Sequence, residues 1–326
     1  MPFQMIHKAL TTLVIVVTSL TSTVNAQEFP PKKTITIVVG FAAGGSADSA
    51  ARVIAKKLSE DLGQNVIVDN KPGAGGNIAH AYTATAPTDG SVILFGSIGP
   101  LSIAPHLMKL PYDPQKDLAP LTMGVTFPNV LVVIPELGVK NFKEYIAMAK
   151  KNPGKITFAS TGSGSASHLQ GELLNVRADI DTVHVPYKGV APSVTDLLAG
   201  HVDIGFAGLP TALPHIQSGA LKALGLSSKA SSSAAPNIPP LAKTPGLQNF
   251  DLTQWFGVYV PSGTPNAIAQ KIQKDIVDVL RMPEVKDTLE KQGAQPGNMS
   301  MAEFQSFSNS ESKKFGAIVK TAKIEP

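Results

Sequence analysis

The chain has 326 residues, 43% of them hydrophobic, which is long enough for roughly two domains with sizeable cores. Charged residues make up 16% and aromatic residues 6%, and the formal charge of +4 is not gathered into any dense Lys/Arg cluster, so nucleic acid is excluded as a partner. Cysteine is absent, which excludes disulfides, thiolate metal sites and a lipid-modified cysteine.

Met1 to Ala26 reads as a secretory signal peptide. Lys8 supplies the positive end, Ala9 to Leu20 the apolar run, and Val24-Asn25-Ala26 a small-x-small cleavage site, placing the mature start near Gln27. No other segment approaches the roughly 18 consecutive apolar residues of a membrane helix. A soluble exported protein is expected, periplasmic in a bacterium with two membranes.

Thr34 to Val39 is a β-branched strand, followed by the loop Phe41-Ala42-Ala43-Gly44-Gly45-Ser46. Ser46 is placed as the N-cap of the next helix, whose Ala50, Val53, Ile54 and Leu58 recur at helical spacing. Such a turn points orphan backbone N–H groups and the positive end of the helix dipole at one spot, which suits an anion. It also suits a purely structural turn. Asn65 to Asp69 is a second strand, Asn70 to Asn77 a glycine-rich loop, Ile78 to Ala86 a small helix, and Ser91 to Phe95 a third strand that runs into Gly96-Ser97. Strand, helix, strand, helix, strand predicts a parallel sheet with right-handed crossovers and loops gathered at one edge.

Leu118 to Val125 and Val130 to Ile134 flank Phe127-Pro128, where the chain is expected to enter a second domain. There the opening motif returns. Ile156 to Ala159 is a strand, Ser160-Thr161-Gly162-Ser163-Gly164-Ser165 a glycine-serine loop, and Ser167 to Val176 a helix. Thr182 to Val185, Val202 to Phe206 and Leu221 to Ser227 are further strands, with helices at Ser193 to Ala199 and Leu209 to Ser218. Ser228 to Gln248 reads as a return path. Trp255 to Val260 is a strand, Thr264-Pro265 a helix start, and Ser300-x-x-Glu303 a capping box opening the last helix. The expected architecture is α/β with two lobes and a cleft between them. Residues 27–127 and 228–326 form the first lobe, and 128–227 the second.

The two glycine loops would then face each other across the cleft. A carboxylate between them could be held by Gly44, Gly45 and Ser46 on one side and Thr161, Gly162, Ser163 and Ser165 on the other. Neither loop contains Lys or Arg, so the lysine of a nucleotide triphosphate site is missing. Gly162-x-Gly164-x-x-Ser167 matches a dinucleotide fingerprint only loosely. No G-x-S-x-G elbow and no H-E-x-x-H occurs. His168 can contact a ligand carboxylate or stabilise its loop, and Tyr187 can reach the cleft. His184 and His201 read as packing histidines, Trp255 as core, and Asp48 as a partner of the helix dipole.

At ITIVVGFAAGGSAD (Ile35 to Asp48), NKPGAGGNIA (Asn70 to Ala79) and STGSGSASHL (Ser160 to Leu169) the sequence resembles the Bug (TctC-like) family of extracytoplasmic solute receptors, which serve tripartite tricarboxylate transporters. The likeness continues through HVPYKGVAPSVTDLLAGHVD (His184 to Asp203), LPHIQSGALKALGLSS (Leu213 to Ser228) and WFGVYVPSGTP (Trp255 to Pro265), in order and over essentially the whole mature chain. It implies a type II periplasmic-binding-protein fold, two Rossmann-like lobes joined by two crossing segments. It also implies a small organic mono- or dicarboxylate ligand, no cofactor, a monomer, and delivery to the membrane subunits of a tripartite tricarboxylate transporter. The ligand set it implies is Phe41 to Ser46, Asn77, Ser97, Ser160 to Ser163, Ser165, His168, Tyr187, Ala207 and Gly208. Family members often carry Asp-Ser where this chain has Ala207-Gly208, which argues against an amino-acid ligand, and the family's Glu in the return segment is replaced near Lys243. The competing readings are a secreted α/β enzyme using the same cleft and a ligand-binding sensory partner.

Overall fold

The computed structural model describes residues 29–324, and the expected signal peptide lies outside the described residues. The chain opens with β1 (Ile35–Val39), α1 (Ser46–Leu62), β2 (Val66–Asn70), α2 (Asn77–Ala84), β3 (Val92–Ser97) and β4 (Leu118–Phe127). It continues through β5 (Asn129–Val133), α3 (Phe142–Lys151), β6 (Ile156–Ser160), α4 (Ala166–Ala178), β7 (Thr182–Pro186), α5 (Val190–Leu198), β8 (Ile204–Gly208), α6 (Leu209–Gln217) and β9 (Lys222–Leu226). The last part is β10 (Gln254–Pro261), α7 (Asn266–Arg281), α8 (Pro283–Lys291), β11 (Gln295–Pro296) and α9 (Met301–Ala322).

These strands form two mixed sheets, ordered β11-β4-β10-β3-β1-β2 and β7-β6-β8-β5-β9. In the first, β1 runs parallel to β2 and β3, and β10 runs antiparallel to β3 and β4. The second repeats this logic, with β6 parallel to β7 and β8, and β5 antiparallel to β8 and β9. Parallel pairs need helical crossovers, so the loops after β1, β3 and β6 all emerge at the edges where the sheets approach each other.

Apolar spacing decides what each helix covers. Ile54 and Leu58 of α1, together with Ile268, Ile272 and Ile276 of α7, pack on one face of the first sheet. Val190, Val194 and Leu197 of α5 do the same for the second. Helix α9 returns across β4, and Trp255 on β10 is buried beneath it with its indole N–H donated to Glu311 Oε2 at 3.0 Å.

The crossing between sheets is abrupt: β4 ends at Phe127 and β5 begins at Asn129, with Pro128 between. The return crossing lies beside it. Leu252 N donates to Ser227 O at 2.9 Å, Ser227 N to Asn129 O at 2.8 Å, and Gln170 Nε2 to Leu252 O at 2.7 Å. The return path read at Ser228 to Gln248 does not open the first lobe. Ala235 and Ile238 are buried with Leu226, and Phe250 stacks on Phe206 at 6.0 Å, so this stretch rides on the second sheet until Leu252.

Several local expectations shift. The N-cap position of α1 is Gly45, whose backbone is extended, and Ser46 is already the first helical residue, with its hydroxyl bonded to Thr211 Oγ1. Helix α7 starts at Asn266, with Pro265 as its cap, and the Thr264 hydroxyl is buried without capping it. The capping box of Ser300 and Glu303 is formed as expected. Helix α8 and the short β11 have no counterpart in the sequence reading.

Candidate functional site

The loop after β1 is held from behind by Asp48. Its Oδ2 accepts from Gly44 N and Arg52 Nε, both at 2.9 Å, and its Oδ1 accepts from Asn70 Nδ2 at 2.9 Å. Asn70 Nδ2 also reaches Phe41 O at 3.0 Å. Burial alone would raise the Asp48 pKa, but the bonds from Arg52, Gly44 and Asn70 outweigh it and hold the carboxyl below its ordinary value. Asp48 thus does more than meet the helix dipole: it fixes the turn at Gly44, whose φ of +83° favours glycine. It also occupies the Gly44 amide. The amides left facing forward are those of the first turn of α1, Ser46 and Ala47, which helix geometry leaves without an acceptor.

In front of that turn lies a cleft shared by both sheets, with a cavity volume of about 40 Å³. Phe41, Gly45, Ser46 and Ala47 form its α1 side, and Phe127 and Asn129 its floor at the crossing. Thr161, Val190 and Gly208 close it from the second sheet, while Gln254 and Phe256 enter from β10. The aromatic wall is continuous. Phe256 meets Phe41 edge-on at 6.1 Å and stacks near Phe127 at 5.8 Å. Gly208 has no side chain for a steric reason, since a Cβ there would come within 2.6 Å of Ser46 Oγ and 3.0 Å of Phe127. Among the described residues, no Lys, Arg, His, Asp or Glu lines this cleft.

The second glycine loop is folded upon itself. Thr161 N donates to Ser167 Oγ at 2.9 Å, Gly162 N to Ser160 Oγ at 3.0 Å, Gly164 N to His168 Nδ1 at 3.2 Å, and Ser165 N to Gly162 O at 3.1 Å. Its glycines face the first lobe's glycine loop. A Cβ on Gly162 would meet Gly75 N at 2.8 Å, and one on Gly75 would run into Ser163 O. Close approach between lobes therefore accounts for these glycines as much as any ligand would.

Of the residues singled out from sequence, the cleft brings together Phe41, Gly45, Ser46, Thr161 and Gly208. The others lie around it. Ala42 N crosses to Lys188 O at 3.0 Å, and Ala43 and Gly44 are exposed outside the cleft. Asn77 donates to Ala74 O at 2.7 Å and accepts from Tyr112 Oη at 2.7 Å. Ser97 is buried beside His80, whose Nε2 accepts from Ser97 N at 3.2 Å, leaving Nδ1 to donate to Gly76 O at 2.9 Å. Ser160, Gly162, Ser163 and Ser165 belong to the internal bonding and the Gly75 contact. Ala207 is buried in the second lobe's core, and Tyr187 donates to Asp196 Oδ2 at 2.8 Å.

His168 braces its loop and stacks on His184 at 4.2 Å. Burial pushes His168 down to about 4, and burial together with His168 does the same to His184. His184 Nε2 lies 2.6 Å from Ser160 Oγ, but Ser160 is buried behind the loop and does not line the cleft, so the pair acts as a brace. His201, read as packing, has a largely exposed side chain near Asp196 instead. Ala47, Phe127, Asn129, Val190, Gln254 and Phe256 line the cleft without having been singled out. Phe127-Pro128 at the crossing was the one signal that pointed there.

Among the described residues there is no cluster of His, Asp and Glu able to hold a metal, and no helix long and apolar enough to cross a membrane.

Comparison with known proteins gives a consistent picture. The family described as "Tripartite tricarboxylate transporter family receptor" matches residues 50–324. Protein BugT of Bordetella pertussis is 36% identical over 292 residues, covering 89% of this chain and 89% of that one. Among solved structures, "R. palustris Rpa4515 with adipate" is similar with a TM-score of 0.87 and 31% identity, covering 92% of this chain and 100% of that one. The "periplasmic binding protein BugD" is similar with a TM-score of 0.86 and 32% identity, covering 90% of this chain and 99% of that one.

Proposed function

Because the chain belongs to the tripartite tricarboxylate transporter family of receptors, we propose that it is a periplasmic receptor that captures a small organic carboxylate and delivers it to the membrane subunits of such a transporter. The observation that carries this reading is the first turn of α1, which opens into a cleft lined by both sheets and free of charged side chains. Charge-assisted bonds from the Ser46 and Ala47 amides, at about 1.5–3 kcal/mol each, supply about 3–6 kcal/mol, and apolar contact with Phe127 and Phe256 adds to this toward the roughly −8 kcal/mol of micromolar binding. Adipate bound to the R. palustris relative supports a carboxylate here. The receptor acts as a monomer after loss of residues 1–26, and uses no cofactor. Its lobes are 27–127 with 254–326, and 128–227 with the stretch to 253 riding on it. Ligand binding across the crossings favours the closed arrangement by its differential affinity.

Thermal denaturation against a panel of carboxylates and their neutral amides tests this. Carboxylates should raise the transition by RT ln(1 + [L]/Kd), whereas their amides should leave it in place. A shift from sugars, cations or nucleotides alone would contradict it, and turnover of a bound acid would favour an enzyme.

A further inference from the structure

One buried side chain ties the floor of the cleft to both crossings. Asn129, the first residue after Pro128, lines the cleft and is itself almost fully buried. Its Nδ2 donates to Gln170 Oε1 of α4 at 2.8 Å, and Gln170 Nε2 donates to Leu252 O on the return crossing at 2.7 Å. Leu252 decides how both amides are turned. A carbonyl oxygen can only accept, so the NH2 group of Gln170 must face it. That leaves Gln170 Oε1 for Asn129, which must in turn offer its own NH2 group. Gln170 is wholly buried and cannot exchange these partners for water.

Ser227 makes the same connection through the backbone. Its N–H donates to Asn129 O at 2.8 Å and its carbonyl accepts from Leu252 N at 2.9 Å. Its hydroxyl accepts from Asn129 N at 3.0 Å and donates to Leu252 O at 3.1 Å. On the other side, Phe127 and Gln254 are paired in the first sheet. One residue of each crossing, Pro128 and Thr253, is left between the two ladders. Resting on the carboxylate reading above, we infer that Gln170 is a positioning residue for ligand capture, which fixes the Asn129 side chain in the floor of the cleft. Gln170 does not itself line the cleft. Without it, the Asn129 backbone and the Leu252 carbonyl each keep their bonds to Ser227. The Asn129 side chain has no such second holder. Its Nδ2 would lose the one acceptor it has among the described residues, and the amide could then turn about χ2, an angle with no sharp preference of its own. The floor would lose its fixed shape, and a ligand would have to order it on binding.

Nuclear magnetic resonance of the unliganded protein tests the positioning directly. In the wild type, the Asn129 side-chain NH2 should be protected from exchange with solvent. Gln170→Met keeps the length of the side chain and removes its bonds. It should speed that exchange by at least about tenfold, with the backbone amide shifts of β5 and α4 held. An unprotected Asn129 NH2 in the wild type overturns the inference, whether or not the variant folds. Isothermal titration with succinate, malate, adipate and benzoate at pH 7 reads the consequence for binding. Affinity for the tightest of these acids should fall by at least about fivefold in Gln170→Met, but by less than about twofold when the same change is made in an Asn129→Ala background. A loss of the same size in both backgrounds, or no loss in either, overturns the inference, while the acids still bind and the carboxylate reading stands. Binding of none of the four acids by the wild type overturns both.

Discussion

The hydroxyls of Ser46, first residue of α1, and Thr211, in the first turn of α6, lie 2.7 Å apart across the cleft. Residues separated by 165 positions thus join the two lobes at the rim of the site. A second tie lies close by, from Ala42 N to Lys188 O at 3.0 Å. Both contacts exist only while the lobes are together, so their energy belongs to closure rather than to the folding of either lobe.

Thr211→Val keeps the shape and removes the hydroxyl. A hydrogen bond of this kind contributes about 0.5–1.5 kcal/mol net, so ligand affinity should fall by roughly two- to tenfold. Titration calorimetry measures that loss, and small-angle scattering of the unliganded variant should show a larger radius of gyration. Unchanged affinity with unchanged scattering would remove Ser46–Thr211 from the closing mechanism.

Gly75→Ala attacks closure at another point. Gly75 has a φ of +62°, and its Cβ would collide with Ser163 O of the opposite lobe. The backbone strain costs about 1–2 kcal/mol, and the collision keeps the glycine loops apart. Affinity should drop by at least about tenfold, with the melting temperature of the unliganded protein falling by only a few degrees. Tight binding by this variant would show that the loops need not meet.

The sheets, the repeated strand–loop–helix unit and the Pro128 crossing were legible because β-branched runs and glycine turns are local signals. What could not be read locally is where a side chain finds its partner. Ser46 has the chemistry of an N-cap, but it is the first residue inside the helix, its hydroxyl pairs with Thr211, and Gly45 holds the N-cap position without a side-chain bond. The STGSGS loop has the composition of an anion cradle, yet its hydroxyls and His168 absorb its own amides. Phe256 lies in a strand that reads as ordinary core, while Phe127 at the crossing and Gln254 fall just outside the strands legible in sequence; all three become cleft walls because β4 and β10 are neighbours at the crossing. The short, polar helix α8 begins at Pro283 and carries only two buried apolar residues, Val285 and Leu289 at i,i+4 spacing, too few to stand out in the sequence.

Asp48→Asn should loosen the first loop. Asp48 is almost fully buried and joins Gly44, Arg52 and Asn70. Removing its charge weakens these bonds by about 1–3 kcal/mol in total, with Arg52 half exposed and free to turn to water. Urea denaturation at pH 7 measures the loss. In the wild type the same contribution is full above the ordinary carboxylate pKa and disappears as pH falls through the lowered folded value. A variant as stable as wild type at pH 7 would contradict this role.

Three histidines, His80 and His168 buried and His184 half-buried, set the stability profile at mildly acid pH. Burial is the main reason that His80, His168 and His184 are each pushed down to about 4 from an ordinary 6.5. The unfolded chain therefore binds more protons between these values, so stability is full above pH 6.5 and falls as pH drops toward 4. His80, wholly buried between Gly76 and Ser97, accounts for up to about 3 kcal/mol of that fall. Chemical denaturation at steps from pH 7 to pH 4 should show the decline, and His80→Gln should flatten it. A flat wild-type profile over this range would refute the assignment.

In the carboxylate reading, the amides of Ser46 and Ala47 hold the ligand's acid group. The crystal structure of the protein with its tightest-binding carboxylate tests this directly. Carboxylate oxygens should lie about 3 Å from Ser46 N and Ala47 N, with the remainder of the ligand against Phe127 and Phe256. A carboxylate held instead by the 160–165 loop, or outside the cleft, would contradict it.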